Sequence, residues 1–247
     1  GLFGAWLVLI LALSGAVLSS FQTAVLAPLG SSIAEHFGGG DRGAMVAQLA
    51  ITLPAIGVIA GGPCAAWLLS RFGYRPVIAS HAAILGLAGS SGLYVDDMHL
   101  FLAARLFVGF SAVVLFGGLT ALTGRLFAGA TLSRMISYQT GASAFSGMAW
   151  VLLSGWIASR FGWRASFAIY WLTAIFAIMA LVAWLPPADD RATTKSAGWA
   201  ALRPVLPALF LNLGTFAFNF MIIIQGSLLM AANGIKDPSL QSAAIAA

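Results

Sequence analysis

Charge is what this chain has least of. Lys, Arg, Asp and Glu together make up 8% of its 247 residues, about a third of the share a soluble domain needs to keep its surface hydrated. A soluble globular protein is therefore excluded. Acids are the scarcer sign. None lies between Arg42 and Val95, between Met98 and Ala188, or between Arg191 and Lys236. The one cysteine, Cys64, lies in an apolar run, so neither a disulfide framework nor a thiolate metal site is readable. No residue cluster has metal-ligand spacing and no glycine-rich phosphate loop follows a strand. Strand-period alternation is missing as well, which excludes an outer-membrane barrel. The net charge is +5, but the cations sit in turns between apolar runs. That placement fits orientation in a bilayer and argues against nucleic acid as a partner. The first residue is Gly1 rather than Met, so the start is read as processed, trimmed or a fragment. A signal peptide is not read, because the first apolar run continues to about Leu29 without a basic leader.

What is present is apolar length. The chain is 60% hydrophobic with a mean hydropathy of +0.96, and its apolar runs reach the roughly 20 helical residues that one bilayer crossing takes. The reading is an all-α, polytopic transmembrane bundle. Helices are expected over 2–29, 44–69, 77–94, 99–123, 136–158 and 165–185, the last ending at Pro186-Pro187. Residues 1–187 then form a six-helix unit and 188–204 a linker. Residues 205–247 begin a second bundle, with a seventh helix over 205–231 and a stub of an eighth from about Ser239.

Trp67-Leu68-Leu69-Ser70-Arg71-Phe72-Gly73-Tyr74-Arg75 returns 89 residues later as Trp156-Ile157-Ala158-Ser159-Arg160-Phe161-Gly162-Trp163-Arg164. The shared pattern is W-x-x-S-R-F-G-[YW]-R. Each copy leaves one apolar segment and enters the next. Short basic turns with Gly are common between membrane helices, but six identities in nine positions favour a true repeat. With three crossings between them, the copies lie on opposite faces, as a three-plus-three inverted repeat demands.

Polar residues inside the apolar runs are the candidates for function, because lipid cannot satisfy them. Gln22 follows Ser19 and Ser20 in the first helix and costs more to bury than a hydroxyl. Arg105 lies about 9 Å into the fourth helix at the helical rise. Its insertion, at roughly 2.5–3.5 kcal/mol for a helix centre, asks for a functional or interhelical role; the competing reading is snorkelling to the surface. Asn212 and Asn219, seven apart, share one face of the seventh helix. His81 reads as a satisfied structural residue more readily than as a proton relay. With the N-terminus in the cytoplasm, cytoplasmic turns carry Arg71, Arg75, Arg125, Arg134, Arg191, Lys195 and Arg203, against Arg42, Arg160, Arg164 and Lys236 outside, the bias expected of a positive inner face.

These residues resemble the major facilitator superfamily. Its signature between helices 2 and 3 is roughly G-x-x-x-D-R-x-G-R-R. Residues 66–75 match it at Arg71, Gly73 and Arg75, with Ala66 in place of the leading Gly and Ser70 in place of the Asp. Arg105 with Gly109 is similar to the R-x-x-x-G of helix 4. The Gly-Pro pair of the helix 5 antiporter signature is absent from residues 141–155. The resemblance implies one six-helix half, the linker and the start of the second half of a secondary transporter. It implies a multi-pass protein of the cell membrane that moves a small solute by alternating access. Enzyme activity, cofactor and resident metal are not expected. The resemblance further implies a cavity lined by helices 1, 4 and 7, with Gln22, Arg105, Asn212 and Asn219 as solute contacts. Arg71, Gly73 and Arg75 would form the conformational-switch loop. A coupling proton or ion would have to use Arg105 or His81, use groups beyond this chain, or not exist. Two other readings compete. One is a non-transporting scaffold or receptor with a transporter-like fold. The other is an intramembrane protease around Gly141-Ala142-Ser143-Ala144, which needs a later His, whereas His36, His81 and His99 all precede Ser143.

Overall fold

The computed structural model describes residues 2–183, 185, 206, 207, 211, 214, 229–235 and 237–246. Asn212, Asn219, most of the expected linker and most of the expected seventh helix lie outside the described residues. Helix α1 runs over Leu2–Ala24, a 3-10 turn over Ala27–Leu29 and α2 over Gly30–His36. Next come α3 (Gly40–Phe72), α4 (Tyr74–Gly89) with a 3-10 extension Ser90–Leu93, α5 (Met98–Leu126) and α6 (Gly129–Phe161). A 3-10 stretch Trp163–Leu172 leads into α7 (Thr173–Val182), and α8 covers Pro238–Ala246. Among the described residues six segments are long and apolar enough to cross a membrane.

The spans are longer than the apolar runs that announce them. The second was expected over 44–69 and covers Gly40–Phe72; the fifth, expected from Ile136, begins at Gly129. The expected basic turn over 124–134 shrinks to Phe127 and Ala128, which leaves Arg134 inside α6. Hydropathy marks where the bilayer core would be, while a helix ends where its backbone hydrogen bonds end. Those ends have local causes. The Asp97 carboxylate accepts from the Leu100 N–H at 2.8 Å and starts α5, as an N-cap should. Gly73 and Gly162 stop α3 and α6 at φ +81° and +86°, a region open essentially to glycine.

The first span also differs from expectation. It does not stop at Leu29 but breaks there and continues to His36. Pro28 has no N–H to give, and the neighbouring amides turn to nearer carbonyls, Leu26 to Thr23 at 3.2 Å and Leu29 to Leu26 at 2.9 Å. The Val25 carbonyl, which loses its helical donor, accepts instead from the Ser154 hydroxyl of α6 at 2.6 Å. Tyr170 donates to the Phe21 carbonyl at 2.8 Å. A break in a membrane helix is tolerable only where neighbours satisfy the freed backbone in this way.

The 89-residue shift organises the three-dimensional structure. It carries Gly40–Phe72 onto Gly129–Phe161, both 33 residues long, and the third span onto the sixth. It also carries the Trp67–Phe72 ring contact (5.9 Å) onto Trp156–Phe161 (6.3 Å). The hydroxyls of Ser70 and Ser159 each return to the carbonyl three residues back at 2.9 Å. The two copies lie at opposite ends of the bundle. Arg164 donates to Asp96 and His36, which gathers the turns after the first, third and fifth spans at one end. Arg75 donates to the Leu181 carbonyl and Arg125 lies over the Tyr74 ring, which gathers the remaining turns at the other.

Small residues set how closely the spans cross. A Cβ on Gly109 of α5 would lie 1.9 Å from the Pro54 carbonyl oxygen of α3, and one on Gly57 would lie 2.1 Å from that of Leu106. The shifted crossing, α1 against α6, has Ser20 and Ser146 there, with hydroxyls 3.3 Å apart. The same crossing is thus made once by backbone contact and once by a hydrogen bond. Helix α8 packs on α6, where Ser242 fills the space beside Gly155.

Candidate functional site

Arg105, two turns into α5, is wholly buried. Its Nη2 donates to the Gly89 carbonyl at 2.7 Å, the Ala88 carbonyl at 2.9 Å and the Ser91 hydroxyl at 3.3 Å. Its Nη1 donates to the Tyr170 hydroxyl at 3.3 Å. The acceptors exist because α4 ends at Gly89. Carbonyls in a last helical turn lack intrahelical donors, and that end of the macrodipole is negative. The rings of Phe101, Phe167 and Tyr170 surround the guanidinium at 5.4–5.5 Å, an arrangement that stabilises a desolvated cation. No carboxylate contacts it among the described residues. The charge is held by a helix end and aromatic faces, and the Tyr170 hydroxyl passes the connection on to the broken first span at Phe21. Arg105 thereby joins the first, third, fourth and sixth spans. Gly89 makes room for Tyr170 beside Arg105: a Cβ at that position would lie 2.0 Å from the Tyr170 ring.

Gln22 lies beside that break. Its Oε1 is buried and accepts no hydrogen bond. The Thr120 hydroxyl of α5 and the Trp150 indole nitrogen of α6 are likewise buried without a partner, and Trp150 stacks on Phe21 with ring centroids 4.6 Å apart. An unsatisfied buried polar group costs about 1–3 kcal/mol; Arg105 Nε and Ser111 Oγ are also buried without a partner among the described residues. Sequence reasoning singled out Gln22 but neither Thr120 nor Trp150. A lone hydroxyl or indole in an apolar helix carries no signal until its neighbours are known. Thr123, one turn from Thr120, is paired: it accepts from Gln139 Nε2 at 3.0 Å, and that nitrogen also donates to the Ala12 carbonyl at 2.5 Å.

The remaining sequence candidates separate by position. Arg75 reaches the Leu181 carbonyl in the last turn of α7, Gly73 turns the chain with positive φ, and Arg71 is exposed at the same end. These lie at the rim of the bundle, away from Gln22 and Arg105. His81 is buried, with Nδ1 2.9 Å from the Val77 carbonyl and its ring on Phe110, the setting of a satisfied structural residue. Among the described residues no group of His, Cys, Asp and Glu could hold a metal ion.

Solved structures share this fold. A D-xylose–proton symporter superposes with a TM-score of 0.74 at 15% identity, covering 98% of this chain and 66% of its own. The xylose transporter XylE from E. coli, inward open, gives 0.62 at 16%, covering 92% and 56%. A POT family transporter in complex with a thioalcohol-conjugated peptide gives 0.53 at 14%, covering 91% and 49%. The chain thus spans about half to two thirds of the length of these proteins. No curated protein matches its sequence. The sequence profile described as Major Facilitator Superfamily matches residues 12–246. With that match over nearly its whole length, the chain belongs to the major facilitator superfamily.

Proposed function

We propose that this chain is the solute-handling first half, with the start of the second, of a secondary transporter that works by alternating access. The observation that carries the reading is that three of the five unpartnered buried polar atoms among the described residues, Gln22 Oε1, Thr120 Oγ1 and Trp150 Nε1, lie on the first, fourth and fifth spans, the other two being Arg105 Nε and Ser111 Oγ. Two donors and an acceptor left open in an apolar bundle are paired most economically by a polar solute passing through. A scaffold has no use for them. In this reading Gln22 contacts the solute directly; Asn212 and Asn219, outside the described residues, are further candidates for solute contact. Arg105 positions the spans around it, since every partner it has is a protein group. Arg71, Gly73 and Arg75 bias the equilibrium between the two access states. The end that carries Arg71, Arg75, Arg125 and Arg134 faces the cytoplasm, by the positive-inside rule.

The test is solute binding by the purified chain in lipid nanodiscs, with D-xylose, the solute named for the solved relatives, as the first probe in a panel of small polar solutes. The expected result is saturable binding whose Kd rises by up to about tenfold in Gln22→Ala, the loss of one solute hydrogen bond. No saturable binding of any solute in the panel, with the protein folded, would favour the scaffold reading.

A further inference from the structure

The 89-residue shift relates contacts as well as helices. Tyr74 and Trp163 are 89 residues apart, as are Arg75 and Arg164, and His36 and Arg125. At one end of the bundle Arg125, at the close of the fourth span, lies 5.6 Å from the centre of the Tyr74 ring. At the other end His36, at the close of the first span, lies 5.3 Å from the Trp163 ring. Arg75 crosses to the Leu181 carbonyl, in the last turn of the sixth span. Arg164 crosses to Asp96, just past the end of the third span, and to His36 at 3.1 Å. In every case the motif belongs to one three-span unit and its partner to the other. The positive-φ glycine before each aromatic, Gly73 or Gly162, turns the chain so that both side chains leave their own unit.

We propose that the two copies of W-x-x-S-R-F-G-[YW]-R are reciprocal clasps, one at each membrane face, that fasten the two three-span units into a single body. The aromatic of each copy receives the basic residue that ends the first helix of the other unit. The arginine of each copy holds the end of that unit's third helix. The second copy, through Trp163, Arg164, Asp96 and His36, therefore does at its face what Tyr74, Arg75, Arg125 and Leu181 do at the opposite one. Between the two rims the units are already joined by the close crossing of α3 with α5 and by the Ser154–Val25 and Tyr170–Phe21 hydrogen bonds; the clasps add ties at the ends. Motion between halves then becomes rigid-body motion. This inference goes beyond the transport reading and does not depend on which solute is moved.

Exposed ion pairs add little to global stability, so a broken clasp should be seen locally. The experiment is amide hydrogen exchange on the full chain in lipid nanodiscs, which needs no transport and so fails independently of it. The amides of Phe37, Gly39, Tyr94 and Val95 report one face, and those of Phe127 and Ala183 the other; all are hydrogen-bonded. Arg164→Ala should speed exchange at the first set by about fivefold or more while the second stays within about twofold. Arg75→Ala should do the reverse. Asp96→Arg combined with Arg164→Asp should restore slow exchange. If Arg164→Ala does not fold, Asp96→Asn should still loosen Tyr94 and Val95 alone. Equal loosening at both faces, no loosening at either, or failure of the charge swap to restore protection would overturn the proposal.

Discussion

Replacing Arg105 tests whether it is a clamp between spans or a solute ligand. Its two shortest bonds, to Gly89 and Ala88 at 2.7 and 2.9 Å, are charge-assisted and worth about 1.5–3 kcal/mol each. Losing both costs roughly 3–6 kcal/mol. Against this stands the penalty of holding a guanidinium in the bilayer interior, about 2.5–3.5 kcal/mol, which the substitution relieves. Tyr170 keeps its bond to Phe21, so no orphan hydroxyl is added. The difference predicts that Arg105→Met, which keeps much of the side-chain volume, is destabilised by about 1.5 kcal/mol at the midpoints and by no more than about 3.5 kcal/mol. Arg105→Ala should lose more, because it also leaves a cavity among Phe101, Phe167 and Tyr170. Arg105→Lys should recover part of the loss, since an ammonium can reach a carbonyl but cannot span the same set of acceptors. The assay is equilibrium unfolding in mixed micelles, read alongside solute binding. A folded Arg105→Met protein of unchanged stability that no longer binds the solute would refute the clamp and return Arg105 to the list of solute contacts.

The two pseudo-equivalent crossings should respond unequally. Gly109→Ala, whose Cβ would meet the Pro54 carbonyl at 1.9 Å, is expected to cost about 3 kcal/mol or more by forcing α3 and α5 apart. Ser20→Ala, which removes the hydroxyl contact to Ser146 at 3.3 Å, should cost no more than about 1 kcal/mol; thermal unfolding in nanodiscs compares them. Gly73→Ala and Gly162→Ala should each cost about 1–3 kcal/mol, because φ of +81° and +86° admits a Cβ poorly. Their effects should add in the double variant, since they act at opposite ends of the bundle, and a coupled melt would argue otherwise.

The order of the six spans and the repeat were legible because each signal is local. An apolar run reports its own depth in the bilayer, and nine residues report their own kinship to nine others. The helix ends were less legible. The Asp97 cap and the glycine stops do their work in polar flanks where hydropathy is silent, which is how Arg134 came to lie in a helix rather than a turn. The first span continued past Pro28 because Ser154 and Tyr170, far away in sequence, satisfied the carbonyls of the break. Of the candidate residues, the alphabet pointed to Arg105 and Gln22 because burying them is costly anywhere in a membrane. It was blind to Thr120 and Trp150, whose polar atoms matter only because no neighbour pairs with them.

By itself, then, the sequence determined that this is a multi-span helical membrane protein built from two related three-helix units, because composition and periodicity suffice for that. Tertiary structure alone decided what each polar group meets: that Arg105 caps the end of α4, that Gln22 is left without a donor, and that each arginine-ended motif reaches across to the other unit. Those outcomes depend on which helix ends pack side by side, and a linear chain does not record that until it has folded.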